Sequence, residues 1–346
     1  MVQKSQNYLI IIKFFMQKIL IIGSKGMLGQ ELVKTFKKDK DYKVIAWDKE
    51  DIDISKEKEV SKKIGFTKPN IIINAAAYNA VDKCEESKKE YEIAKKINGL
   101  APGYLAASAK KNKAVLVHYS TDYVFNGEPE IPEPAGCSHS CASCSLHQGF
   151  QPEVGFDENA KPSPISNYGK SKLIGEKEVA KNTKSYYIIR LSKLFGKPAI
   201  GEGAKRSFFD VMLEAGKKNK EVHPVKSPQS GDAKGVFNRV KAVDEETSCF
   251  TYAPDLAKKT KEILDAKKPF GIYHIVNSGP CTWYEAAVEL YRQAKIKTKI
   301  IPVDGNEFPR PAKRPFYSVL VNTKLNPMRS WKEALKEYLK SMNKEQ

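Results

Sequence analysis

The 346-residue chain has no hydrophobic run long enough to cross a bilayer. The nearest approach, Tyr8 to Phe15, is short, and Lys13 and Lys18 interrupt its extension. No small-residue cleavage site follows it, so neither a signal peptide nor a membrane partner is expected. Met16 offers an alternative start, with residues 1–15 an extension that is disordered or not native. The expected compartment is the cytoplasm. Cysteines are few, six in all, and a reducing compartment argues against a disulfide framework. The net charge of +18 is large, yet no arginine-rich cluster with interleaved aromatics is present. Lysines are scattered along the whole chain, mostly on polar helix faces, so a nucleic-acid partner is not expected. There is no internal repeat and no second glycine turn. Hydrophobic residues make up 41%, enough for a real core, and the length suits one large α/β domain or two smaller ones.

What is present starts at Gln17. Ile19-Leu20-Ile21-Ile22 is short enough for one buried strand. Gly23-Ser24-Lys25-Gly26-Met27-Leu28-Gly29 follows, then a helical pattern with Leu28, Leu32 and Phe36 on one face. A second strand, Tyr42 to Trp47, ends at Asp48. Strand, glycine turn, helix, strand and terminal acid make one dinucleotide-binding unit. The turn must be tight and must let the backbone approach a pyrophosphate, and the helix must start there so that its free N–H groups face the phosphates. The spacing is Gly-x-x-Gly-x-x-Gly, so the context carries more than the glycines do. Asp48 can accept from both ribose hydroxyls, which favours NADH; Lys49 beside it could meet a 2′-phosphate and leaves NADPH open.

Further strands are expected at Asn70–Asn74, Ala114–Tyr119 and Tyr186–Leu191, with helices at Glu57–Phe66, Ser87–Lys111 and Asn167–Lys181. This alternation predicts a Rossmann-type, doubly wound parallel sheet. Asn74-Ala75-Ala76-Ala77 closes one strand with small residues, where a flat ring would fit. The sheet domain is expected to span 16–195, with an irregular, cysteine-rich insert at about 131–156. Residues 196–346 read mainly as a smaller substrate-binding lobe, with helices from Ser207, Asp255, Trp283 and Trp331.

Tyr168 and Lys172 stand four apart on a predicted helix and share a face. A tyrosine with a pKa of about 10 is a poor acid–base group, and a neighbouring ammonium would lower it. The pair suits proton exchange with a carbonyl/alcohol couple. A solvated helix face would show the same spacing, so the pair gains meaning from the dinucleotide unit before it and from Thr121 at a strand end.

Together the glycine turn, Asn74-Ala75-Ala76-Ala77, Ser120-Thr121-Asp122 and Tyr168-x-x-x-Lys172 resemble the extended short-chain dehydrogenase/reductases. His118 to Phe125, Ile73 to Tyr78, Val81 to Glu85, Arg190-Leu191-Ser192, and Arg314-Pro315 with Ser318 resemble, more narrowly, the dTDP-4-dehydrorhamnose reductase family. The resemblance runs from Met16 almost to the C-terminus. It implies reduction of the C4 keto group of a nucleotide-linked 4-keto-6-deoxy sugar by NADPH or NADH. It places Gly23, Gly26, Met27, Leu28 and Gly29 at the cofactor phosphates, Asp48 at a ribose, and Asp53 and Ile54 at the adenine. Ala75, Ala76, Ala77, Tyr78 and Asn79 line the cofactor, with Tyr119 beside it. Tyr168 protonates the new alkoxide, Lys172 tunes Tyr168 and holds the nicotinamide ribose, and Thr121 meets the reacting oxygen. Asn98 matches a helix asparagine that supports the lysine through water, or is a plain polar helix residue. Asp122, Tyr123, Lys193, Arg206 and Arg314 fall on the substrate side. A nucleotide sugar is the implied substrate, and a homodimer is left open.

Asp122-Tyr123 replaces the Asp-Glu pair of the related dehydratases, which speaks for simple reduction. Two alternatives remain: another nucleotide-sugar reductase or epimerase, and a regulatory or scaffold subunit similar to that of methionine adenosyltransferase. Lys193 stands where the family places a tryptophan expected to pack on the sugar, so the sugar is open. Arg206-Ser207 replaces a pair of asparagines. Cys137, Cys141 and Cys144, with His139 and His147 nearby, could wrap a zinc ion, or form a flexible insert with loose thiols.

Overall fold

The computed structural model describes residues 16–129, 154–201, 206–218 and 239–344. Five strands come first in the chain: β1 (Gln17–Ile22), β2 (Tyr42–Trp47), β3 (Ile71–Asn74), β4 (Val115–Thr121) and β5 (Tyr186–Leu191). Short strands β6 (Leu194–Phe195), β7 (Arg239–Val243) and β8 (Thr251–Tyr252) precede β9 (Gly271–His274). The helices are α1 (Met27–Lys37), α2 (Glu57–Thr67), α3 (Lys83–Glu86), α4 (Lys88–Ala94), α5 (Ala101–Lys111), α6 (Asn167–Asn182), α7 (Phe208–Lys218), α8 (Ala253–Asp265), α9 (Trp283–Ala294) and α10 (Trp331–Lys344).

Six strands form one parallel sheet in the order β2-β1-β3-β4-β5-β9. Helices cover both faces, as a fully parallel sheet requires, and the alternating residues of β1 show it. Ile19 and Ile21 pack with Leu28, Leu32 and Phe36 of α1 and with Leu256 of α8. Leu20 and Ile22 point the other way, against Val60 and Ile64 of α2, Leu105 of α5 and Val179 of α6. The order reverses between β1 and β3, and the crevice at this switch point is where such sheets bind ligands.

Two differences from the sequence reading stand out. The first is the boundary at residue 196. A second apolar core gathers Phe195, Phe209, Phe250, Leu290, Trp331 and Leu335. The chain nevertheless returns to the first sheet, because β9 pairs with β5 and α8 packs on α1. The apolar faces of α8 and β9 match their neighbours in that sheet, and nothing local in the sequence shows which core they join. The second difference is the helix expected over Ser87–Lys111. It forms with a π-helical turn, Lys95–Leu100, between α4 and α5, and Asn98 lies within that turn.

Candidate active site

The glycine turn is built by close contacts. Gly23 has a left-handed backbone (φ +81), and a Cβ there would lie 2.7 Å from the Ala76 amide nitrogen. A Cβ on Gly29 would lie 2.0 Å from the Gly23 carbonyl oxygen. The turn, the first turn of α1 and the Asn74–Ala76 segment therefore interlock as backbone against backbone. Gly26 caps α1 with no side-chain hydrogen bond, and the first turn carries no acid. Its N–H groups and its dipole are left for an anion. That fits a dinucleotide pyrophosphate.

A cleft of about 390 Å³ opens over this turn, within the range of small-molecule sites. Gly26, Met27, Leu28, Ala75, Ala76, Ala77 and Tyr119 line one end. Thr121, Asp122, Tyr123, Tyr168 and Lys172 line the middle, and Lys193, Arg206, Phe250 and Trp283 the other end. The cleft thus gathers most of the sequence-selected residues, Asn79 among them, with Val81, Ser192, Ser207 and Phe208 added.

The middle is held from behind. Arg190 of β5 is buried and grips Glu176 of α6 through two bonds of 2.9 and 2.7 Å. This ties the tyrosine helix to the sheet. Ser166 caps α6 by accepting from the Gly169 amide. Ser171 Oγ donates to the Tyr168 carbonyl (2.7 Å) and accepts from Asn98 Nδ2 (3.1 Å). The Asn98 side chain also bonds both backbone groups of Tyr78. Asn98 does not line the cleft; it is a buried clamp between the Tyr78 loop and α6. The π-helical turn places it there.

Thr121 Oγ1 donates to Asp122 Oδ1 (2.9 Å) and accepts from the Tyr123 amide (3.2 Å). Asp122 Oδ2 accepts from Ser192 Oγ and Ser318 Oγ, both at 2.7 Å. Burial raises the Asp122 pKa, and the three hydroxyl donors oppose that rise. Tyr168 Oη lies 3.4 Å from Asn79 Oδ1, and its ring meets Tyr123 edge-on at 5.9 Å. Lys172 Nζ donates to the Tyr119 carbonyl at 2.6 Å, and burial lowers its pKa to about 8.

One electrostatic expectation is overturned. Tyr168 is not made acidic by Lys172. Burial pushes its pKa up, and the Asp122 carboxylate pushes it further. The lysine ammonium is turned to the Tyr119 carbonyl instead. In this form the phenol keeps its proton.

Other selected residues fall outside the cleft. Asp48 accepts from the backbone amides of Lys25 and Lys49, both at 2.8 Å, so it braces the glycine turn from beyond β2. Asp53 bonds Ser55. The Ile54 side chain packs into the core beside Val60. Arg314, expected on the substrate side, donates from Nη2 to both carboxylate oxygens of Asp82 (2.9 and 2.8 Å) behind the Tyr123 ring. Cys137, Cys141 and Cys144 lie outside the described residues. Among the described residues no group of His, Cys, Asp and Glu could hold a metal ion. Among them, too, no helix is long and apolar enough to cross a membrane.

Trp283 is one residue that sequence reasoning missed. It was read only as the first residue of a helix. The capping box of Thr282 and Glu285 starts α9 at that residue and turns the indole into the cleft. Lys193 Nζ sits 3.9 Å from its ring centre.

A family model described as the RmlD substrate binding domain matches residues 16–232 and 233–344. The chain is similar to the spore coat polysaccharide biosynthesis protein SpsK of Bacillus subtilis, with 33% identity over 94% of this chain and 97% of that one. A solved dTDP-4-dehydrorhamnose reductase from Clostridium acetobutylicum superposes with a TM-score of 0.77 and 36% identity, covering 94% of this chain and 99% of that one. One from Bacillus anthracis, solved in complex with NADP, gives 0.76 and 29%, with the same coverage.

Proposed function

The chain belongs to the RmlD substrate binding domain family, and from that premise we propose that it reduces the C4 keto group of dTDP-4-dehydrorhamnose to give dTDP-L-rhamnose. The observation that carries the reading is the meeting of Tyr168, Thr121 and Lys172 at the strand ends that flank the glycine turn. A bound NADPH or NADH supplies the hydride. Gly26, Met27 and Leu28 offer the phosphates a helix N-terminus, and Ala75, Ala76 and Ala77 leave room beside it for a flat ring.

The chain's own groups handle the proton. As hydride reaches C4, negative charge develops on its oxygen. Thr121 gives its hydroxyl proton to Asp122 and accepts from the Tyr123 amide, so one lone pair is left to accept from the C4 hydroxyl once that oxygen has been protonated. Tyr168 keeps its proton at neutral pH, as an acid must, and gives it to the new alkoxide. Lys172 stands one helical turn along with its ammonium on the Tyr119 carbonyl, where it would hold the nicotinamide ribose of a bound cofactor. Phe250 and Trp283 shield the far end from water. The reading places the work in the cytoplasm. The regulatory-subunit alternative draws no support from the relatives, whose names include reductases.

The test is Tyr168→Phe, assayed by NADPH and NADH oxidation with dTDP-4-dehydrorhamnose. The expected loss in kcat is about 10²–10⁴-fold, the span of a general acid, with cofactor affinity kept. A parent chain that binds cofactor but turns over no keto sugar would sink the proposal.

A further inference from the structure

Lys193 is held in an uncommon way. Its backbone is left-handed (φ +38), a region that costs a non-glycine residue energy. Among the described residues four other lysines share this feature, two of them as C-caps of α2 and α9, Lys68 and Lys295. Lys193 instead sits in the turn between β5 and β6, inside the cleft. Strand β8 pins it there: the Thr251 amide donates to the Lys193 carbonyl (3.3 Å), and Thr251 Oγ1 donates to the Ser192 carbonyl (2.6 Å).

The side chain then lies against aromatic rings. Nζ is 3.9 Å from the Trp283 ring centre and 5.2 Å from that of Phe250. It donates to the Glu246 carbonyl at 3.2 Å. The carboxylate of Glu246 is already taken, by the Trp283 indole N–H (2.9 Å) and by the Arg310 guanidinium. An ammonium has three donors. One goes to Glu246; the ring faces offer attraction but no lone pair. The cleft that Lys193 lines is where a further acceptor would stand. Desolvation there lowers its pKa to about 8, the mark of a charge short of partners.

The position says which acceptor. The neighbouring residue, Ser192, donates to Asp122, and Asp122 accepts from Thr121. Lys193 is therefore one residue removed from the hydrogen-bonded group that faces the reacting oxygen.

We propose that Lys193, laid on the ring of Trp283, determines the substrate by donating to a hydroxyl oxygen of the hexose beside the reacting carbonyl. This rests on the reading of the chain as a nucleotide-hexose reductase. The same charge repels a protonated amino group at that ring position, so amino-hexoses are turned away.

The experiment pairs a residue change with a substrate change. Wild type, Lys193→Met and Lys193→Gln are assayed with dTDP-4-dehydrorhamnose and with its 2-deoxy and 3-deoxy counterparts. Binding of dTDP-L-rhamnose is followed in parallel by calorimetry. Lys193→Met should raise KM for the full substrate by about 10- to 100-fold, the worth of a hydrogen bond to a charged group, and change kcat far less. Wild type should disfavour one deoxy substrate, and Lys193→Met should no longer tell it from the full one. Lys193→Gln keeps a donor and should recover part of the discrimination; it carries the test if the Met variant does not fold. Equal losses on full and deoxy substrates, or an unchanged KM, overturn the proposal. Binding of dTDP-L-rhamnose without turnover of any keto sugar strikes the reductase reading alone, and the calorimetry of the Lys193 variants still decides this one. A wild type that binds no nucleotide-linked hexose overturns both.

Discussion

The two ends of the cleft are made in different ways. The end over α1 is backbone: three glycines, a run of alanines, and the first turn of a helix, all at the ends of neighbouring strands. The end at Trp283 is side chain, and its pieces come from the β5–β6 turn, the approach to α7, the residue before β8, and the start of α9. A backbone cradle tolerates little change but binds a ligand part that does not vary. A side-chain wall can be repacked residue by residue while the sheet stays as it is. The reaction is thus fixed by one end and the middle, and the choice of sugar by the other.

The contrast can be broken hardest at the glycine turn. Gly29→Ala puts a methyl group 2.0 Å from the Gly23 carbonyl oxygen, with only backbone to give way. Overpacking of this kind costs about 1–3 kcal/mol of stability. The turn would also shift by a fraction of an ångström, and cofactor affinity should fall about 100-fold or more. Fluorescence titration with NADPH measures it. If Gly29→Ala binds cofactor as the parent does, the cradle is not set by this contact.

The next effect lies where the ends join. Asp122 gathers hydroxyls from β4, from the β5–β6 turn and from Ser318 far along the chain. Asp122→Ala leaves three buried hydroxyls without their acceptor, at about 1–3 kcal/mol for each one that finds no other partner. Stability should fall by roughly 3 kcal/mol, and kcat should fall with it as Thr121 loses its orientation. Thermal unfolding and steady-state assay read the two losses. A folded, fully active Asp122→Ala would mean that Thr121 is oriented by something else.

The same contrast explains what was legible. Ile19–Ile22, the glycines and Asp48 fall within one short stretch of chain, so their pattern survives in a one-dimensional string. Tyr168 and Lys172 share a helix and were legible for the same reason. Ser192 was read as part of a motif, but its bond to Asp122 was not visible. Trp283 carried no signal, because a tryptophan at a helix start is an ordinary core residue until α9 is docked. Arg314 shows the opposite case: its motif says nothing of a protein partner, and the structure pairs it with Asp82, 232 positions away. The acidity expected of Tyr168 failed because helix spacing gives proximity and not direction; Lys172 points at the Tyr119 carbonyl.

The smallest effect separates the two lysines by pH. Lys172 is 3% exposed, and burial sets its pKa at about 8, against about 10.4 in an unfolded chain. Between those values the folded form holds fewer protons than the unfolded form, so stability rises with pH across that window. Below about pH 8 both forms are charged and the burial cost is borne in full. The cofactor-free protein should therefore gain stability from Lys172 between about pH 7.5 and about pH 9.5, and Lys172→Met should lack that share. Lys193 has the same sign, with a pKa of about 8, but it is only half-buried and lies against rings that favour its charge. Its replacement should flatten the stability–pH slope less than that of Lys172. Thermal melts of the parent and the two variants at both pH values compare them directly. Equal slopes in all three would mean that neither ammonium is desolvated, and the cofactor end would then be no more closed to water than the sugar end.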